Sequence, residues 1–142
     1  MGVTNFDEYR DVFVVADTID DVVHPVTYEL IGQARRIAKE LGQLVQVMLL
    51  GENVQSEAEE LVAHGADIVH VFESPLLKYY TTDGYTKVLT DFFEDHKPNI
   101  LLIGATNNGR DLAPRMSGRM KNGVVADCTI LTVDTTEGLV EW

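Results

Sequence analysis

The sequence is poor in the features that staple a chain, anchor it in a bilayer or hold it on nucleic acid. Its 142 residues include one cysteine, Cys128, which excludes an internal disulfide framework and suits a reducing compartment. Basic residues are scarce: 11 Lys and Arg stand against 23 Asp and Glu, a formal net charge of −12. A surface that neutralises phosphates needs the opposite balance, so neither nucleic acid nor anionic lipid is expected as a partner. No apolar run approaches the roughly 20 residues of a membrane-spanning helix. The acidic start, MGVTNFDEYRD, carries no apolar signal segment, and Phe6 stands where a myristoylation signal needs Ser or Thr. A cytoplasmic protein without membrane insertion is expected. His24, His64, His70 and His96 have no metal-ligand spacing, so no metal is predicted, and neither a P-loop nor a G-x-G-x-x-G pattern occurs.

What is present is the pattern of one α/β domain over residues 1–142. Residues 12–16 are a continuous apolar run, as in a strand buried on both faces. An acidic loop follows over residues 17–24. Pro25 at a first turn, the stripe Leu30, Ala34, Ile37, Ala38 and Leu41, and Gly42 as a stop predict a helix. Residues 44–50 read as a second strand closed by Gly51. Ser56 and Glu59 form a capping-box pattern before a short helix with Ala58, Leu61 and Val62 inward. A third strand is expected over 68–72 and a loop over 74–82. Asp83 is a candidate cap for a third helix, in which Tyr85, Val88, Leu89, Phe92, Phe93 and His96 keep helical spacing until Pro98 stops it. Residues 100–103 form a fourth strand, 104–109 a polar loop and 111–121 a fourth helix. A fifth strand lies within 124–133, a turn over 134–138, and 139–142 begin a short C-terminal strand. The alternation predicts a three-layer α/β/α sandwich, Rossmann-like, with a mainly parallel five-stranded sheet plus that short strand. A strand ending on Trp142 reads as a boundary within a longer protein.

If the strand order is 3-2-1-4-5, a ligand would sit where the order reverses, between the loops at 17–24 and 104–110. The second loop, Gly104-Ala105-Thr106-Asn107-Asn108-Gly109-Arg110-Asp111, admits two readings. In one, Thr106, Asn107, Asn108 and Gly109 cradle an anion at a helix start and Arg110 adds a bidentate phosphate contact. In the other, favoured, reading it is a tight turn in which Asp111 caps or charges the helix start and Arg110 pairs with a carboxylate. Asp17, Asp20 and Asp21 weigh against the first, because carboxylates facing the same crevice repel a phosphate unless a metal intervenes. Arg110, Arg115, Arg119 and Lys121 make the fourth helix locally basic, either a solvated face or a docking patch for an acidic partner. Tyr79, Tyr80 and Tyr85 could anchor an interface or pack their loop. Cys128 reads as a buried strand thiol.

The run from Gly104 through Leu112-Ala113-Pro114-Arg115 resembles the signature of the electron transfer flavoprotein alpha subunit. Three more stretches agree in order: Glu29-Leu30-Ile31-Gly32-Gln33-Ala34-Arg35 through Glu40-Leu41-Gly42, Gly65-Ala66-Asp67, and Gly123 with Ala126-Asp127-Cys128-Thr129. The resemblance runs from about Val12 to Val133. It implies an electron carrier rather than a catalyst in its own right. Such a carrier is an alpha–beta heterodimer that takes electrons from flavin dehydrogenases, commonly of the acyl-CoA dehydrogenase type in fatty acid oxidation. It delivers them to a quinone oxidoreductase or another acceptor, with FAD doing the redox chemistry.

In that family FAD is held mainly by a C-terminal domain of the alpha subunit, whose glycine-rich motifs do not occur here. AMP or a second FAD belongs to the beta subunit. The resemblance therefore implies no cofactor on this domain, leaves Thr106, Asn107, Asn108, Gly109 and Arg110 as weak cofactor candidates, and gives the domain a scaffolding role. Arg110, Asp111, Arg115 and Arg119 become the expected interface with the beta subunit. The competing reading is a stand-alone ATP- or AMP-binding domain of the stress-protein or adenylating type.

Overall fold

Short strands that are apolar on both faces are stable only under helices on both sides, and these residues form that arrangement. The computed structural model describes residues 10–96, 98–104, 106–119, 124–127, 132–134 and 139–141, and from residue 117 onward the backbone alone. β1 (Val12–Val15) is central. It pairs in parallel with β4 (Val45–Gly51), Val12 opposite Val45, and with β6 (Ile100–Ile103), Val12 opposite Ile100. β5 (Ile68–Glu73) and β7 (Val124–Asp127) flank them, giving the order β5-β4-β1-β6-β7. Counting only these five strands, that is the order 3-2-1-4-5 on which the ligand position above was conditional. Every residue of β1, β4 and β6 is buried, whereas the edge strand β5 is half-buried or exposed along its length.

α1 (Pro25–Leu41) and α2 (Gln55–Ala63) cover one face. There Leu30, Ile31, Ala34, Ile37 and Leu61 pack on Val14, Val47, Leu49, Ile100 and Leu102. α3 (Thr82–Asp95) and α4 (Asn107–Arg119) cover the other, where Leu89, Phe93, Leu112 and Met116 pack on Phe13, Met48, Leu101 and Ile103. α1 starts and stops where its sequence says, with Pro25 in its first turn and Gly42 closing it in the left-handed region at φ 67°. His24 adds an unexpected cap: its Nδ1 accepts the Val26 N–H at 3.0 Å.

Several local expectations are overturned. The acidic loop over 17–24 is a two-stranded antiparallel ribbon, β2 (Thr18–Ile19) and β3 (Val22–Val23). Its turn places Asp20 at φ 52° and Asp21 at φ 63°, the paired left-handed geometry whose twist matches a hairpin and which Asp tolerates. Val62 is not inward but 53% exposed. Residues 75–77, within the expected loop, form a 3-10 turn, Pro75–Leu77. α3 begins at Thr82, so Asp83 lies inside its first turn rather than capping it. α4 begins at Asn107, four residues before the expected start, which removes Asp111 from the helix terminus. The C-terminal strand, β9 (Leu139–Glu141), pairs antiparallel with β8 (Thr132–Asp134) in a separate ribbon. Cys128, Lys121, Gly123 and the turn at 135–138 lie outside the described residues, as does the side chain of Arg119.

The capping box fails too. α2 starts at Gln55, so Ser56 is already helical. The cap comes from the far end of β5, where the Glu73 carboxylate accepts the Val54 and Gln55 N–H groups at 2.9 and 3.3 Å. Glu73→Ala is expected to lower stability by about 1 kcal/mol, the usual cost of a lost cap, while Ser56→Ala changes it little; urea unfolding of both variants checks this.

A second unforeseen tie holds the amino ends of the strands. Asp11, at φ 79°, accepts the Leu44 N–H at 3.0 Å through Oδ1 and the Gln46 Nε2 at 2.7 Å through Oδ2. Its carbonyl oxygen accepts the Asn99 N–H at 3.1 Å. One side chain and its backbone thus bind β1 to the starts of both neighbouring strands. Gln46 passes the chain on, its Oε1 lying 2.6 Å from His70 Nε2 on β5. His70 also faces Phe92, with ring centroids 4.8 Å apart, and His96, 6.1 Å apart. Burial, with the His96 charge adding to it, holds the His70 pKa below the ordinary histidine value. The folded state therefore takes up this proton less readily than the unfolded chain. The stability contribution is complete above about pH 6.5 and is lost as pH falls below it. Urea midpoints measured at pH 7.5 and 5.5 should fall more for the native protein than for His70→Gln.

Candidate functional site

Open α/β sheets leave a crevice beyond the carboxyl ends of their strands, where the order reverses. Here that point lies between β1 and β6, and the crevice forms there. Val15, Ala16, Ile103 and Gly104 make its floor, Asp17 and Thr18 one wall, and Thr106, Asn108, Gly109 and Leu112 the other, with Tyr80 and Tyr85 against them. The two loops expected to line a ligand site do converge. The space between them is about 20 Å³, room for one water molecule.

The packing explains why so little space remains. Thr27, buried in the first turn of α1, accepts the Asp17 N–H at 3.0 Å and draws the ribbon base onto the helix. The Thr18 hydroxyl donates to the Leu50 carbonyl at 3.1 Å, and the Asp21 carboxylate accepts the Glu52 and Asn53 N–H groups at 3.0 and 3.2 Å. The Asp21 carboxylate is thereby committed to the fold, while Asp17 is tied through its backbone N–H alone. Among the described residues no group of three or more His, Cys, Asp or Glu is placed to hold a metal ion. On the far side Tyr85 is buried, its hydroxyl donating to the Leu77 carbonyl at 3.0 Å, and burial raises its pKa.

The signature loop divides. Thr106 is the true cap of α4: its Oγ1 accepts the Gly109 N–H at 3.0 Å and its carbonyl accepts the Arg110 N–H at 2.8 Å. A helix start so used has fewer N–H groups to offer an anion. Gly109 is buried against the β6 end, and a Cβ there would run into the Gly104 carbonyl oxygen. Thr106, Asn108 and Gly109 reach the crevice, while Asn107 and Arg110 are exposed outside it. No carboxylate among the described residues pairs with Arg110.

Asp111, expected to cap the helix, has another task. Its carboxylate accepts the Tyr80 hydroxyl at 2.9 Å and a very short hydrogen bond from the Thr82 hydroxyl. One turn further on, Arg115 donates to the Asp83 carboxylate at 3.0 Å. These bonds fasten α4 to the start of α3. The hydrogen bonds from Thr82 and Tyr80 hold the Asp111 carboxyl below the usual range, and burial above all pushes the Tyr80 hydroxyl up to about 12. Of the expected interface set, Asp111 and Arg115 are thus engaged within the chain and Arg110 is exposed. The partners of Asp111 lie about thirty positions away, so local spacing gave no sign of them.

The architecture is a three-layer α/β fold with a mainly parallel sheet. It is similar to the universal stress protein from Archaeoglobus fulgidus in complex with dAMP, with a TM-score of 0.54 and 16% identity, over 82% of this chain and 96% of that one. At that identity the likeness is one of fold.

The family is set by sequence. The model of the electron transfer flavoprotein domain matches residues 12–141, and the chain belongs to that family. It is 44% identical over 135 residues to the electron transfer flavoprotein subunit alpha of Megasphaera elsdenii, covering 95% of this chain and 40% of that subunit. It is 45% identical over 133 residues to the lactate dehydrogenase (NAD(+),ferredoxin) subunit LctC of Acetobacterium woodii, covering 94% of this chain and 32% of that one. The chain thus spans two-fifths or less of these relatives.

Proposed function

We propose that the chain is the N-terminal, scaffolding domain of an electron transfer flavoprotein alpha subunit. The whole protein is then an FAD-containing alpha–beta heterodimer, cytoplasmic, carrying electrons from a flavin dehydrogenase to a quinone oxidoreductase or another acceptor. The observation that carries this reading is the match over residues 12–141 together with alpha-subunit relatives near 44% identity.

The crevice supports the division of labour. A flavin or adenine nucleotide needs a site of several hundred Å³, and this space is about 20 Å³, bounded by Tyr85, Leu112 and Gly109. Among the described residues its ionisable wall residue besides the tyrosines is Asp17, which repels a phosphate, and Arg110 is not among its lining residues. The residues lining the crevice do not fit FAD, AMP or ATP, which supports the placement that the family resemblance implies, FAD on the C-terminal domain of the subunit and AMP or a second FAD on the beta subunit. This domain contributes an α/β body, and the interface with the partner is assigned to positions Arg110, Asp111, Arg115 and Arg119 of α4.

The test is co-expression of the chain with the beta subunit, followed by size exclusion in moderate salt. Co-elution as a one-to-one complex is expected, weakened by Arg110→Glu. Independent elution of the two polypeptides would overturn the scaffold role.

A further inference from the structure

In a chain with 23 acidic and 11 basic residues, every cation could find a carboxylate. Among the described residues Arg10, Arg35, Arg36, Lys39 and Arg110 form no ion pair with a described carboxylate, and three of these lie together. Arg35, Arg36 and Lys39, on the second half of α1, line an open groove of about 370 Å³ with Gln43, Leu44, Val45 and Asp67. No described carboxylate forms an ion pair with any of the three. The groove lies at the amino ends of β4 and β5, at the opposite end of the strands from the crevice.

Both arginines are held in place. Gly65, at φ +123°, has no side chain to keep Arg35 away: a Cβ there would strike Arg35 Cδ, and Arg35 Nη1 donates to the Gly65 carbonyl at 3.0 Å. Arg36 Nη2 donates to Gln33 Oε1 at 2.6 Å. Neither contact neutralises a charge. Side chains ordered beforehand lose less entropy on binding. Lys39 has an ordinary explanation, since a cation in the last turn of a helix meets the negative end of its dipole. That explanation is weaker for Arg35 and Arg36, further back along the helix. Leu44, 46% exposed at the groove, adds an apolar contact.

We infer that this groove docks an acidic protein segment, one with Asp or Glu side chains spaced along an extended stretch and an apolar residue among them. Charge complementarity carries the assignment, and the geometry selects a segment over a compact anion. The three cations are spread over more than one helical turn rather than converging on a point. The nearby helix end is the C-terminus of α1, whose carbonyls repel a phosphate dianion more strongly than single carboxylates spaced along a segment. Asp67 stands in the groove and would repel a dianion further, its Oδ2 already accepting the Val45 N–H at 2.8 Å. The inference is independent of the electron-carrier reading, because it concerns α1 and not the crevice or the α3–α4 face.

The probe is a fluorescein-labelled peptide alternating Glu with Leu, titrated with the intact chain and followed by anisotropy at about 50 mM NaCl, where exposed charges are weakly screened. Saturable binding is expected. The double variant Arg36→Glu, Lys39→Glu should weaken it roughly tenfold or more, as charge reversal at complementary surfaces does. Both positions are exposed, so the unfolding midpoint should stay close to native. Inorganic phosphate should compete no better than chloride at matched ionic strength. Absence of saturable binding, or binding indifferent to the double variant, would overturn the proposal. So would displacement by phosphate, which would mark an anion site, or self-association of the chain relieved by the double variant, which would make the occupant a second copy.

Discussion

Gly109→Ala is expected to destabilise the protein by roughly 1–3 kcal/mol, against the ordinary preference of helices for alanine. The methyl group would meet the Gly104 carbonyl oxygen, a backbone atom that cannot swing aside, so α4 would have to lift from the end of β6. That shift would also strain the Asp111 bonds to Tyr80 and Thr82 and the Arg115 bond to Asp83, which fasten α4 to α3. Gly32 provides the control. It lies within α1, is exposed, and a Cβ there meets nothing within 4 Å. Gly32→Ala should therefore raise stability by up to about 1 kcal/mol. Urea unfolding of the two variants reads out opposite signs from the same substitution. Equal and stabilising effects would show that α4 does not press on β6 as described.

The second large effect is expected at Phe13. It lies in the central strand, 2% exposed, with its ring edge-on to Phe93 at 5.2 Å and to Phe92 at 6.3 Å, and stacked at 6.5 Å on His70. Phe13→Ala removes the ring around which these aromatics gather and leaves a cavity under α3. A loss of about 3–5 kcal/mol is expected. A typical domain has about 5–15 kcal/mol in total, so the variant should be partly unfolded at 37 °C and fail to co-elute with the beta subunit. Phe13→Leu keeps most of the volume and should cost far less. Thermal unfolding of the pair checks this, and similar midpoints for the two would contradict the packing account.

The legible part of the structure was what depends on runs and short spacings. The apolar runs at β1, β4 and β6 could only be strands covered on both sides, and Pro25 and Gly42 mark the ends of α1 because their effect is on their own backbone. The strand order was supposed rather than read, because the alternation of strands and helices does not fix it, and only the fold shows it. What failed depends on partners distant in the chain. Ser56 and Glu59 have capping-box spacing, yet Glu73 supplies the cap from the end of another strand. Asp111 looked like a helix cap, but Thr106, another residue type that caps helices, comes first and its hydroxyl closes the turn. The ribbon at 17–24 was hidden because each of its strands has two residues, too few for alternation to show. The basic groove joins α1 to the starts of β4 and β5, and only the fold brings Arg35 beside Gly65.

The family signature divides in the same way. Gly109 and Thr106 serve the turn itself, and Asp111 and Arg115 serve the α3–α4 junction. A conspicuous loop at the ligand position of the fold is thereby accounted for by packing and capping.

The central claim is that the domain lends shape and docking to a flavoprotein and does not itself grip a nucleotide. The most direct measurement is isothermal calorimetry of the chain with FAD, AMP and ATP in turn. The account predicts no saturable heat with any of the three. Stoichiometric binding of one of them, abolished by Arg110→Ala, would contradict it.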